Sequence, residues 1–144
     1  MLDEIFAECE ARYPFEACGF VIGKGREVSR VVPAANIQNE VHKRDPKRYP
    51  RDANTAYTID PKEMERVSVT AAKSGKSIVA IFHSHPEHEV YFSAEDKGMA
   101  APWGDPLFPD QSYIVVSVYE RKVKGASEFY WDPAKKDFVE RKIV

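Results

Sequence analysis

The stretch Ser77-Ile78-Val79-Ala80-Ile81-Phe82 runs straight into His83-Ser84-His85-Pro86, and this junction constrains the fold more than any other part of the chain. A short apolar, β-branched run with Gly75 as a stop signal ahead of it reads as a buried strand. Side chains on a strand alternate with period two, so His83 and His85 point the same way. The spacing predicts that they lie where this strand gives way to a loop. Asp96 follows in Ser93-Ala94-Glu95-Asp96, a helix-start signature with Ser93 as N-cap and Asp96 in the first turn of a short helix ending near Pro102. Two imidazoles and one carboxylate suit zinc, and three protein ligands leave a fourth position open for water, as in catalytic zinc sites. The same donors bind other divalent metals.

With 144 residues and 43% hydrophobic content, the chain is expected to form one domain, residues 1–144, with a core that needs no staples. Its net charge of −2 gives no global field for nucleic acid. A local basic run, Lys43 to Arg51, is broken by prolines and an acid; it reads as a solvated loop ahead of a docking patch for an acidic partner. No apolar run approaches the ~20 residues that span a bilayer. The acidic N-terminus is unlike a secretory signal. Cys9 and Cys18 form neither a disulfide framework nor a zinc ribbon, and a cytoplasmic location is expected.

Before the histidines, Leu2, Ile5, Phe6, Cys9 and Tyr13 recur at helical spacing, and Pro14 ends that helix. Cys18–Gly23 and Glu27–Val32 read as a hairpin turning at Gly23 and Gly25. Pro33–Ala56 has no clear period and is long for a structureless connection, so it is either functional or partly disordered. Asp60-Pro61-Lys62-Glu63 starts a second helix, with Asp60 capping and Glu63 able to reach back to the cap. Met64, Val67 and Ala71 mark its buried stripe. After the histidines, Pro102–Gln111 is a loop with exposed-looking Trp103 and Phe108. Tyr113–Tyr119 reads as a central strand, and Ser127–Trp131 and Phe138–Ile143 as closing strands with a turn at Asp132-Pro133.

Three of the four histidines (His83, His85 and His88) fall within six residues. The order His-x-His-x-Glu-His is similar to the metallo-β-lactamase signature, but no histidine follows His88. His88 is therefore read as a loop residue at the mouth of the site, with metal contact as the alternative. A zinc hydrolase also needs a general base. Glu16, in Pro14-Phe15-Glu16-Ala17-Cys18-Gly19, is the candidate; a Glu before a strand is otherwise an ordinary surface residue. With Glu16, Cys18-Gly19, His83, His85, Pro86, Ser93 and Asp96 in this spacing, residues 1–120 resemble the JAMM (MPN+) zinc metalloprotease family.

The resemblance implies an α/β (α+β, cytidine-deaminase-like) JAB/MPN fold, with a curved, mostly antiparallel sheet between the first helix and the Pro61–Ser74 helix. It implies zinc on His83, His85 and Asp96, Glu16 as the base that later protonates the leaving amine, and Ser93 as an oxyanion donor. As helix cap and as oxyanion donor, Ser93 is expected to have two competing uses for one hydroxyl. Cys18 is read as a small buried residue, with a redox role as the alternative. Asn36 falls where prokaryotic relatives often carry an Asn, and is otherwise a turn residue. Phe92 replaces a proline common before the serine, a change expected to alter the groove wall. The long segments 33–56 and 102–111 are expected to carry specificity. The implied activity is hydrolysis of a peptide or isopeptide bond after the C-terminal Gly-Gly of a ubiquitin-like or sulfur-carrier protein. An exposed sheet edge could seat the extended tail by strand addition. The rivals are a catalytically silent scaffold on the same fold and a DNA-repair-associated relative, which lacks the Glu-x-Cys-Gly entry.

Overall fold

A computed structural model describes residues 1–144. The elements follow as α1 (Leu2–Arg12), β1 (Cys18–Lys24), β2 (Glu27–Ala34), α2 (Gln38–Arg44), α3 (Pro61–Ala72), β3 (Ser77–Pro86), α4 (Ala94–Ala100), β4 (Ser112–Tyr119), β5 (Lys122–Asp132) and β6 (Asp137–Lys142). The fold is α+β, with one six-stranded sheet in the order β2-β1-β3-β4-β5-β6. All neighbouring strands are antiparallel except β3 and β4, the parallel pair at the centre. A parallel pair needs a crossover, and here α4 and the loop after it supply one. That crossover returns the chain beside the end of β3, which is how Asp96 reaches the histidines.

The two faces of the sheet are covered differently. On one, α1 lays Ile5 and Cys9 against Val21, Phe82, Ile114, Val116 and Val118. On the other, Val67 and Ala71 of α3 pack over Phe20, Ile22, Ile78, Ile81 and Val115. Phe20 and Phe82, one on each face, are fully buried. Burying each such ring contributes roughly 2–3 kcal/mol. The expected helix–sheet–helix arrangement is present, and α3 starts as expected, with the Asp60 carboxylate accepting from Lys62 N–H. Glu63 makes no return bond to the Asp60 N–H.

A bulge in β3 decides which face receives the histidines. Ile78 pairs with Ile22 and Ala80 with Val21, leaving Val79 without a partner on β1. The extra residue shifts the alternation by one. Ile78 and Ile81 therefore share the α3 face, while Ala80 and Phe82 face α1. Beyond the bulge, His83 and His85 continue the Ile81 face and Ser84 the Phe82 face.

Several sequence expectations need correction. The strand does not stop before the histidines: β3 runs through Pro86, so both lie inside the ladder, His83 paired with Cys18 and Val115. Of the two readings of Pro33–Ala56, functional or partly disordered, the second is not needed, since the stretch carries defined structure. β2 continues to Ala34, with Pro33 tolerated because β2 is an edge strand. Gln38–Arg44 is helical, and Ala53 and Ala56 are buried. Phe92 does not line a groove. It is buried against Tyr113, Phe129 and Phe138, with ring centroids 5.0–5.2 Å apart, and plugs the α3-side core. The loop 102–111 stands as expected, with Trp103 83% exposed. No helix is long and apolar enough to cross a membrane.

Candidate metal centre

The site grows from the end of β3. His83 Nε2 and His85 Nε2 lie 3.1 Å apart, both buried. Asp96 Oδ2 comes within 3.3 Å of His83 Nε2 and 3.9 Å of His85 Nε2. Donors bound tetrahedrally to zinc at ~2.0–2.2 Å sit roughly 3.3–3.6 Å apart; the 3.1 and 3.3 Å separations are close to that spacing and the 3.9 Å one is wider. Ligand atoms of Glu16, His83 and His85 also lie within 4.8 Å of one another, so the two histidines are flanked by two carboxylates.

Each donor is aimed by a neighbour. Glu89 C=O lies 3.0 Å from His85 Nδ1, which donates to it and so leaves the Nε2 lone pair facing the site. Tyr91 tilts over the His85 ring at 4.8 Å, and Tyr57 stacks on His83 at 4.5 Å. His83 Nδ1 is buried with no hydrogen-bond partner, so only stacking and the strand hold that ring. Asp96 is held by a capping box. Ser93 Oγ accepts from Asp96 N–H, and Asp96 Oδ2 accepts from Ser93 N–H, each at 3.0 Å. The cap occupies a lone pair of the Ser93 hydroxyl, while its O–H lies within hydrogen-bond reach of the Asp96 carboxylate. Ser93 lines the cavity above the histidines.

Glu16 sits on a link bonded from three sides. Its N–H donates to Ala53 C=O at 2.7 Å, and its C=O accepts from Asn36 Nδ2 at 2.9 Å. The next residue, Ala17, exchanges bonds with Ser84, donating to Oγ at 2.7 Å and accepting from N–H at 3.0 Å. Asn36 also donates to Ala56 C=O and accepts from Gln38 N–H and Thr58 N–H. All four hydrogen-bonding capacities of its amide are used, which makes it a strut rather than an ordinary turn residue. Gly19 is equally constrained: a Cβ there would meet the Phe82 ring at 2.5 Å and Val32 C=O at 2.6 Å. Cys18 is buried and free, its thiol 3.8 Å from Ala34 C=O, with burial pushing it up to about 12.

The two carboxylates differ in electrostatics. Burial pushes Glu16 up to about 8; His83 pulls it down, while the charge of Asp96 adds to the rise. Burial would also raise Asp96, but the charge and hydrogen bond of His83, with the Ser93 bonds, hold it down at about 2. Burial works against a charged His83, yet Asp96 outweighs it and raises that imidazole. Burial and the neighbouring His83 lower His85 to about 4. One carboxylate is thus an anion across the ordinary pH range, while the other exchanges a proton near neutrality.

The cavity rim carries His88, which is exposed and bonds Pro86 C=O at 2.8 Å, as a mouth residue would. Arg51 and Glu95 form an ion pair across the rim. The sequence reading missed Tyr57, Tyr91, Ser84 and Arg51. Only Ser84 left a signal there: between two histidines that face one way, period two points it at the opposite face.

The fold and the cluster together define an α+β protein with a histidine–carboxylate centre at the end of a parallel strand pair. The chain belongs to the prokaryotic homologs of the JAB domain, whose family model matches residues 1–132. It is 29% identical over 106 residues to a desampylase of Haloferax volcanii, covering 72% of this chain and 63% of that one. It is 31% identical over 96 residues to a probable TtuB-protein conjugate cleaving protease of Thermus thermophilus, covering 67% and 56%. It is also 30% identical over 113 residues to tail tip assembly protein K of Escherichia phage N15, covering 76% and 39%. The chain spans less than two thirds of each of these relatives. The solution structure of a Desulfitobacterium hafniense protein superposes with a TM-score of 0.70 at 25% identity, covering 99% of this chain and 86% of that one.

Proposed function

We propose that residues 1–144 act as one domain, a zinc-dependent metallopeptidase of the cytoplasm. Its reaction is hydrolysis of the peptide or isopeptide bond that follows the C-terminal Gly-Gly of a ubiquitin-like or sulfur-carrier protein. The observation that carries this reading is the meeting of His83, His85 and Asp96 at 3.1–3.9 Å beside the buried Glu16. Hydrolase chemistry is also supported by the relatives named as a desampylase and as a conjugate-cleaving protease. In this reading His83, His85 and Asp96 hold zinc, which supplies Lewis acidity at the scissile carbonyl and lowers the pKa of water. Glu16, buried beside the two histidines, takes a proton from the attacking water and returns it to the leaving nitrogen. Ser93 donates its O–H to the oxyanion while its lone pair keeps the helix cap.

The alternative is a binding scaffold without turnover, favoured by the likeness to a phage protein named for tail assembly. The two readings separate on one experiment. Metal content is measured on purified protein, and cleavage of carriers with a C-terminal extension is followed for wild type, Glu16→Gln and chelator-treated protein. The peptidase reading expects one zinc per chain and cleavage after Gly-Gly. Glu16→Gln should lose at least ~10²-fold of that activity while keeping its zinc. A folded, never-chelated protein without metal would overturn it.

A further inference from the structure

The basic run Lys43–Arg51 has no part in the chemistry above. Between residues 38 and 51 five cations (Lys43, Arg44, Lys47, Arg48 and Arg51) stand against Glu40 and Asp45, in a chain whose net charge is −2. Lys43, Arg44, Lys47 and Arg48 are all exposed, and none is paired with a carboxylate. Unneutralised like charges this close repel one another, so folding alone does not favour the cluster.

The segment is nevertheless ordered. After α2 the chain folds back on itself: His42 Nδ1 meets Tyr49 C=O at 2.6 Å, and Tyr49 N–H donates to Asp45 C=O at 2.9 Å. Gln38 Nε2 donates to Arg51 C=O at 2.8 Å, tying the two ends together. Lys43, Arg44, Lys47 and Arg48 thus lie on the closed arm beyond its tied base. The root of that arm is the wall of the catalytic cavity. Asn36 bonds Glu16 C=O, Asn39 Oδ1 accepts from Ala53 N–H, Ala53 C=O accepts from Glu16 N–H, and Arg51 stands on the cavity rim.

We propose that residues 38–51 form a basic docking arm that binds an acidic face on the folded body of the protein substrate and so delivers its tail to the cavity. In taking the partner to be the substrate, this rests on the peptidase reading above. The argument is charge complementarity on a surface continuous with the site. Charges so placed act mainly on encounter and KM, and are weakened by salt. A nucleic acid is disfavoured by the negative balance of the rest of the chain.

The test compares the zinc-loaded wild-type arm with an arm variant carrying Lys43→Gln, Arg44→Gln, Lys47→Gln and Arg48→Gln. Four probes are used: an acidic ubiquitin-fold protein with a C-terminal Gly-Gly extension, the same protein with its surface acids neutralised, the free tail peptide, and a single-stranded RNA. Binding is read by fluorescence anisotropy in a Glu16→Gln background, and peptide cleavage in the Glu16 background. The expected result is about tenfold weaker binding of the acidic protein by the arm variant at low salt. The difference should shrink at high salt and vanish with the neutralised probe, while cleavage of the tail peptide stays unchanged. Equal binding by both arms, or arm-dependent binding of single-stranded RNA tighter than that of the acidic protein, would overturn the proposal. Arm-dependent binding with no peptide cleavage by the wild type would sustain the arm and remove the peptidase reading.

Discussion

Glu16 and Gly19 show how closely single positions around the site are specified. Glu16 is a carboxylic acid held where water cannot solvate its charge, so in metal-free protein its folded pKa of about 8 stands above the ordinary 4.5. Between those values the native state holds a proton that the unfolded chain has released, and stability falls as pH rises. Metal-free wild type should therefore lose on the order of a few kcal/mol relative to Glu16→Gln between pH 4.5 and 8, and nothing below that window. Paired urea titrations across pH check this; parallel curves would show that Glu16 is not buried as described. Gly19 has no room for a methyl group, since the Phe82 ring and Val32 C=O occupy it. Gly19→Ala should destabilise the protein by about 1–3 kcal/mol, measured as a lower urea midpoint at unchanged slope.

At the scale of elements, α4 is a short helix whose first turn has two uses. The capping box that starts it is also the support that orients Asp96 toward the histidines. Removing one such cap typically costs ~1 kcal/mol, and loss of an outer-shell support ~10–100-fold in metal affinity. Ser93→Ala is expected to show both, with unfolding followed by denaturant and zinc affinity by competition with a chelating dye. Ser93→Thr, which keeps the oxygen, should restore both. If Ser93→Ala bound zinc as the wild type does, the link between cap and ligand would be lost. The bulge at Val79 plays a comparable part in β3: without the extra residue, the histidines would be delivered to the α1 face, away from Asp96 and Tyr57.

For the molecule as a whole, the centre joins parts distant in sequence: the α1–β1 link, the end of β3, the start of α4, and the 36–57 segment that props Glu16 and covers His83. A ligand that binds only when all four are assembled stabilises the whole fold, by about 2.7 kcal/mol when present at 100 times its Kd. Zinc added to chelated protein should therefore raise the unfolding temperature. In Asp96→Asn, where one anionic donor is replaced by an amide, the rise should largely disappear. An unchanged rise in Asp96→Asn would remove Asp96 from the ligand set.

What the sequence determined by itself is local and periodic. Strand alternation put His83 and His85 on one side, the Ser93–Asp96 spacing predicted a capped helix, and Asp60-Pro61 marked the start of α3. These follow from interactions within a few residues, where the chain's own geometry leaves little choice. Only the tertiary structure decided the rest. Phe92 went to the core because three aromatic rings from β4, β5 and β6 meet there. Asn36 became a strut because two carbonyls and two N–H groups, from Glu16, Gln38, Ala56 and Thr58, converge on its amide. Tyr57 came to rest on His83 from 26 positions away in sequence. The aperiodic stretch 33–56 proved ordered for the same reason: its backbone groups find partners on other elements, and no local pattern records a partner that only folding brings near.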